Sequence, residues 1–179
     1  GHATDYVYYA NNSLKQVTNP EGETTSYTYD PRGRTHTIKD AANQITTITR
    51  NYNGQVLTYE DAEGHIVGMD YDNQGRLETM TDGHGDTITL NYKNDGSKPR
   101  TRPDTIQYPT FKREFIYDNR KRVKQIIDTP TGGSAKITAE FTYTASGQRE
   151  TVTDAEQNLT EYRYDALGRL EKIIDAQLN

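Results

Sequence analysis

The chain has no cysteine and no tryptophan, and only two methionines among 179 residues. Disulfide staples, thiolate nucleophiles and cysteine metal ligands are therefore excluded. Hydrophobic residues make up 31% of the chain, well below the roughly 45–50% of an ordinary globular domain. A thin, extended core built by stacking like units fits that composition better than a large spherical one. No apolar run is long enough to form a helix across a bilayer, so no membrane span is expected. Nor does a helical period persist anywhere. The net charge of −5 does not indicate a general nucleic-acid binder, and no nucleic-acid motif accompanies it.

What is present is repetition. Tyr8, Tyr29, Arg50, Tyr71 and Tyr92 follow one another at 21-residue intervals, and the column continues at Tyr117, Tyr143 and Tyr164. Self-similarity of this kind makes each unit a structural module that stacks on its neighbours. Each unit begins with an alternating pair, such as Tyr6 and Tyr8, Tyr27 and Tyr29, or Phe141 and Tyr143. A period of two places both members on one face of a strand. A turn follows at a fixed offset, with Gly33, Gly54, Gly75, Gly96, Gly147 and Gly168, and with Asn12 and Lys121 in the same register. The Lys121 turn is the weakest fit, since a left-handed position favours Gly or Asn.

A second strand then carries Val17, Ile38, Tyr59, Met80, Ile126, Val152 and Ile173. Another column, Leu14, Val56, Leu77, Val123 and Leu170, sits three residues earlier. Strict alternation sends those two columns to opposite faces, unless a bulge restores the register. A second turn contains Gly22, Gly64 and Gly85, with Asn43 in the same place. Two strands and two short turns per unit predict an all-β antiparallel meander, a curved open sheet or arc. A single array of about eight units over 1–179 is expected, with irregular insertions at 97–110 and 130–134.

The segments Tyr29-Asp30-Pro31-Arg32-Gly33-Arg34, Tyr71-Asp72-Asn73-Gln74-Gly75-Arg76-Leu77 and Tyr164-Asp165-Ala166-Leu167-Gly168-Arg169-Leu170 resemble the YD repeat of the Rhs family. Bacterial Rhs toxins, toxin-complex shell components and wall-associated toxins belong to that family, and teneurin shells are related. The resemblance implies a β-sheet spiralling into a hollow shell. In the toxins, that shell encloses a variable C-terminal toxic domain. It further implies that the chain is part of a larger protein, secreted or delivered from a bacterial cell. No segment here resembles the conserved cleavage region of those toxins.

The recurring residues are therefore read as structural: Tyr8, Tyr29, Asp30, Gly33, Arg34, Gly54, Tyr71, Asp72, Gly75, Arg76, Tyr117, Asp118, Tyr143, Gly147, Tyr164, Asp165, Gly168 and Arg169. A general acid–base pair needs one special site with separated pKa values. A carboxylate repeated in unit after unit is instead a turn device. Asp82, His84 and Asp86 offer metal-ligand chemistry, but they lack the distal Glu of a calcium loop, and a polar turn accounts for them. No catalytic residue, metal or cofactor is expected.

One stretch stands apart electrostatically. Between Lys98 and Lys124, nine basic residues face three acidic ones. Arg100, Arg102, Lys112, Arg113, Arg120 and Arg122 form the candidate partner surface there. The expected role is a noncatalytic wall segment contacting adjacent YD repeats and an encapsulated toxin domain. Free strand edges are expected to allow edge-to-edge self-association. The alternative is an extracellular carbohydrate- or protein-binding module that uses the tyrosine columns or the basic insertion.

Overall fold

The computed structural model describes residues 3–93 and 101–175. Among them there are sixteen strands and no helix, and the strands form an antiparallel sheet whose order is the order of the chain. Among the described residues β1 pairs with β2 and β16 with β15 at the two ends of this order. Residues 1–87 and 88–179 form two compact units. The first contains β1 (Asp5–Tyr8), β2 (Leu14–Thr18), β3 (Thr24–Tyr29), β4 (Thr35–Lys39), β5 (Ile45–Arg50), β6 (Val56–Glu60), β7 (Ile66–Tyr71) and β8 (Leu77–Thr81). From the boundary onward come β9 (Thr87–Asn91), β10 (Thr105–Gln107), β11 (Phe111–Tyr117), β12 (Val123–Pro130), β13 (Lys136–Tyr143), β14 (Arg149–Asp154), β15 (Leu159–Tyr164) and β16 (Leu170–Asp175).

A bulge settles the conflict between the two apolar columns. Tyr6 lies opposite Val17, yet Tyr8 lies opposite Leu14, because the register slips between Val7 and Tyr8. The same slip falls between Thr28 and Tyr29, Asp70 and Tyr71, and Arg163 and Tyr164. One extra residue in the second strand brings both columns opposite the tyrosine pair.

Among the described residues no apolar side chain is fully buried. Side-chain contacts therefore run along the sheet, from strand to strand. On one face Tyr27 opposes Ile38, Ile48 opposes Tyr59, and Met69 opposes Met80. On the other face threonine hydroxyls pair directly, Thr28 with Thr37 at 2.7 Å and Thr49 with Thr58 at 2.6 Å. Cross-strand pairs of these kinds stabilise by roughly 0.2–1 kcal/mol each.

The segment expected to be an irregular insertion at 97–110 is partly regular. Residues 105–107 form β10, which pairs with β9 and with β11. Ile106 lies opposite Leu90 and so continues the Val/Ile column. Pro103 and Pro109 flank the strand, and proline is tolerated at strand ends. Asp104, 3% exposed, ties the segment down: its backbone N–H donates to Asn91 O, its carbonyl accepts from Phe115 N–H, and its carboxylate accepts from Lys93 N–H at 2.7 Å. Residues 97–100 lie outside the described residues. The stretch 130–134 is the tip of a lengthened hairpin, in which Pro130 ends β12 and Gly133 N–H donates to Pro130 O.

The bulge also leaves work for the repeat tyrosine. Pairing between β2 and β3 stops at Gln16 opposite Ser26, short of Leu14. The Tyr29 hydroxyl donates to the Leu14 carbonyl at 2.7 Å. The same bond runs from Tyr71 to Val56, Tyr117 to Pro103, Tyr143 to Val123 and Tyr164 to Arg149. Arg50 holds the tyrosine register and sends its Nη1 to the Thr35 carbonyl. Each bond joins one unit to the one before it. Tyr71→Phe keeps the ring and loses the hydroxyl, and should lower unfolding stability in urea by about 0.5–1.5 kcal/mol. Tyr8→Phe, in the edge strand, should change it by less than about 0.5 kcal/mol.

Candidate functional site

Candidate chemistry concentrates at the hairpin turns. In the turn Asp30-Pro31-Arg32-Gly33-Arg34, Gly33 N–H donates to Asp30 O at 2.9 Å and Asp30 N–H to Arg34 O at 2.8 Å. This is a type I turn followed by a left-handed residue, the three-residue hairpin with a G1 bulge. Proline suits the second position because its φ is preset. Asp30 Oδ1 accepts from the backbone N–H groups of Arg32 and Arg34, and Oδ2 accepts Arg34 Nε at 2.7 Å. Asp72 with Arg76, Asp118 with Arg122 and Asp165 with Arg169 reproduce the arrangement. Lys121 adopts φ 63° and its turn closes like the others, with Asp118 N–H on Arg122 O.

The second turn of each unit uses the same device. Asp40, Asp61, Asp82 and Asp154 each accept two backbone N–H groups, from the second and fourth residues onward. Asn19 does so through its amide oxygen. Asp128 does not. It lies inside the lengthened hairpin, opposite Arg113, in a two-pronged ion pair of 2.8 and 2.7 Å.

The two sets of turns differ in what lies between them. Successive YD turns are clasped. Arg34 Nη2 donates to Asn51 O, Gln55 Nε2 to Gly75 O at 2.6 Å, and Gln148 Nε2 to Gly168 O. Arg32 and Arg120 reach Tyr52 O and Ala145 O in the following turns. A Cβ on Gly54 would sit 3.0 Å from Arg34 Nη1, whereas a Cβ on Gly64 in the second set meets nothing within 4 Å. Both glycines have positive φ. Only Gly54 is also held by a neighbour. In the second set the turn carboxylates bond within their own turn, and an open cleft of 580 Å³ separates turns 19–23 and 40–44.

The remaining expected residues fall as follows. Tyr8 is 56% exposed in the edge strand. Gly147 approaches Arg122, whose guanidinium lies 4.1 Å from the Tyr143 ring centre. Of the candidate partner surface, Arg113 and Arg122 are tied into ion pairs, Arg120 into the next turn, and Lys112 lies 3.8 Å from Glu114. Arg102 is exposed. Arg100 lies outside the described residues. Asp82, His84 and Asp86 form the expected polar turn, with His84 Nδ1 4.0 Å from Asp82. The described residues bring three ligand-type atoms within 4.8 Å of one another at Asp61, Glu63 and His65. There His65 Nδ1 already bonds Asp61 Oδ2 at 2.9 Å, and the carboxylate closes its turn.

Backbone N–H donation from Arg34 is the main influence holding the Asp30 carboxyl below the usual carboxylate range, and the Arg34 side chain adds to it. Donation by Arg122 and Arg169 does the same for Asp118 and Asp165. For Asp72, desolvation opposes the shift, and the Arg76 bonds overcome it.

The family model for the RHS repeat matches residues 8–45, 50–87 and 143–177. The chain belongs to the RHS repeat family. Among solved structures, it is similar to the TcdB2-TccC3-Cdc42 crystal structure, with a TM-score of 0.41, 14% identity, and coverage of 97% of this chain and 13% of that one. Similar too is the Photorhabdus luminescens Tc holotoxin pore with the TccC3-D651A mutation, at a TM-score of 0.41, 13% identity, and coverage of 96% and 13%. The chain thus spans a small part of the length of those chains. A search of curated proteins found no match.

Two experiments follow from the turns. Gly54→Ala and Gly64→Ala share a left-handed backbone cost of about 1–2 kcal/mol. Gly54→Ala should cost about 0.5–1.5 kcal/mol more, the value of the displaced Arg34 bond. That excess should vanish in an Arg34→Ala background, measured as a double-mutant cycle in urea. Stability should also fall with acid. The folded state keeps these carboxyls ionised to lower pH than the unfolded chain does. Their contribution is therefore present above the unfolded pKa of about 3.9 and is lost as pH falls through the depressed folded values. Urea midpoints should be flat from about pH 5 to 7 and drop below about pH 4, and Asp118→Asn should shallow the drop.

Proposed function

We propose that this chain is a noncatalytic wall segment of a larger Rhs protein, delivered from a bacterial cell, whose shell sequesters a C-terminal toxic domain. The observation that carries this reading is the hydroxyl-to-carbonyl bond repeated from unit to unit. A group required in every unit serves the array, not a reaction. The carboxylates that recur from unit to unit are likewise consumed in turn closure, as at Asp30, Asp72, Asp118 and Asp165, which supports a structural role for them. The hydroxyls of Tyr29, Tyr71, Tyr117, Tyr143 and Tyr164 are used inside the sheet, which weighs against these rings as a carbohydrate-stacking surface. Under this reading the chain is one repeat array over 1–179, its partners are the adjacent YD repeats and the enclosed domain, and its outer strands permit edge-to-edge self-association wherever no further repeat covers them.

Membership of the RHS repeat family supports the structural role. Continuous backbone pairing would supply the barrier, since each buried or paired N–H and C=O resists water and protease entry. The test is limited proteolysis of the full-length parent. The domain downstream of the array should be cut only after the array itself is breached. Cleavage of that domain at the same rate with the array intact or deleted would overturn the proposal.

A further inference from the structure

We infer that the row of YD turns between β3 and β8 carries a binding site for a carboxylate-bearing glycan, centred on Arg32 and Tyr52. The inference goes beyond the wall reading and does not depend on it. The site lies within the array, away from its first and last strands. Tyr52 takes the second position of the turn 51–55 and belongs to no tyrosine column. It is 80% exposed, more than any other large hydrophobic side chain among the described residues. Its hydroxyl makes no hydrogen bond among them. The turn does not require this ring, since the equivalent positions hold Pro31, Asn73, Asn119, Ala145 and Ala166.

Arg32 is brought to the ring by the clasp between turns. Its Nη1 donates to Tyr52 O at 2.6 Å, and its guanidinium carbon lies 3.4 Å from the ring centre. Arg120 makes the same bond to Ala145 O at 2.8 Å, where alanine supplies no ring. The clasp therefore stands without an aromatic, and the stack is an addition to it. A guanidinium pinned and stacked in this way has little freedom left to lose, and its planar fork matches a carboxylate in a two-pronged pair. Asp30 is committed to Arg34, and Arg32 has no carboxylate partner among the described residues. Turns 30–34, 51–55 and 72–76 hold three basic and two acidic residues, which leaves one positive charge uncompensated. At the other end of the hairpins, residues 19–23, 40–44, 61–65 and 82–86 hold seven acids and no lysine or arginine. That difference directs an anion to the YD end.

The neighbouring groups favour a sugar as the bearer of the charge. The guanidinium covers one face of Tyr52, and the exposure of the ring leaves the other open. An aromatic face accepts the C–H side of a sugar ring through apolar contact and through the negative charge of its π cloud. One sugar stacks there, and the carboxylate of the adjoining sugar reaches Arg32. Asn53 and Asn73 are exposed, and their side-chain amides make no bond among the described residues. Each amide offers donors and an acceptor to hydroxyl groups. Successive YD turns are two strands apart, roughly 10 Å, so these groups track an extended chain of sugars. A nucleic-acid strand fits less well. It would bring a charge with every nucleotide to a chain of net charge −5, and a single uncompensated cation would receive it.

NMR titration of the isotope-labelled 179-residue chain with a hyaluronate hexasaccharide, whose alternate sugars are glucuronates, tests the inference. Binding is expected with a Kd of about 0.1–1 mM, weakened by salt, with shifts centred on turns 30–34, 51–55 and 72–76. The carboxyl-reduced hexasaccharide should bind about tenfold more weakly, the effect of one charge-assisted pair. Tyr52→Ala should weaken binding about tenfold, and Tyr52→Phe by less than about twofold, since the ring and not the hydroxyl is used. Arg32→Lys keeps the charge but loses the fork, and should weaken binding about fivefold. Arg120→Lys should leave it unchanged. Urea midpoints identify any variant that fails to fold, and the conservative changes at Tyr52 and Arg32 keep the comparison open if Tyr52→Ala is one of them. Absence of binding at about 10 mM, equal affinity for the reduced sugar, indifference to Arg32→Lys and to a folded Tyr52→Ala, or tighter binding of a thymidylate hexamer would overturn the inference. Each of these results leaves the wall reading to the parent-protein proteolysis.

Discussion

A single recurring hydrogen bond connects most of what this structure does. The three-residue hairpin forces a bulge, and the bulge carries the first carbonyl after the turn beyond the reach of the regular ladder. A carbonyl left without a donor costs about 1–3 kcal/mol when water is excluded. The tyrosine hydroxyl of the next unit supplies that donor at 2.7–2.9 Å in Tyr29, Tyr71 and Tyr143. Turn geometry in one unit thereby dictates a side chain in the next. The requirement is for a donor of the right reach and not for an aromatic ring as such, which is why the guanidinium of Arg50 serves in its place.

The two ends of the hairpins obey one turn chemistry under different constraints. Both use a first-position carboxylate or amide to gather two backbone N–H groups, a motif that Asp and Asn favour because they bond their own chain two residues on. Only the YD end adds a long side chain that reaches the following turn. Glycine there answers to two demands, positive φ and the approach of a neighbour. At the second end φ alone decides. Each set has two non-glycine left-handed residues, Asn12 and Lys121 at YD turns and Asn43 and Gln157 at the second turns; where Arg34 or Gln55 reaches the next turn, the position is Gly54 or Gly75.

Much of this was legible in the sequence. The period of two at Tyr27 and Tyr29, and the Gly at fixed offset, report strand and turn through local physics. The tyrosine's partner was not legible, because Leu14 and Tyr29 are far apart in sequence and the acceptor is a backbone atom with no residue signature. The equivalence of the two turns was obscured by their mixed fourth residues, Gly22 and Gly64 against Asn43 and Gln157. β10 was missed because Pro103, Pro109 and a longer turn hid a three-residue strand in which only Ile106 keeps the column. Asp128 shared a register with the turn acids yet pairs with Arg113, since the hairpin continues beyond it. The basic stretch read as a surface, although Arg113, Arg120 and Arg122 have partners that only the pairing of strands brings near.

With no fully buried apolar side chain among the described residues, cohesion must be spread along the sheet. Each unit contributes its own turns and a boundary with the next, so stability is approximately a sum of local and nearest-neighbour terms. Such an array opens from its ends, where one boundary is missing, more readily than from its middle. The same arithmetic bears on catalysis. A reactive constellation needs strained or unpaired groups held in place by surplus stability nearby, and the repeated YD-turn carboxylates are already closing their turns. Removing a side chain that reaches the following turn, such as Arg34 or Gln55, would weaken two neighbouring units at once, so a change made there for chemistry carries a structural cost on both sides.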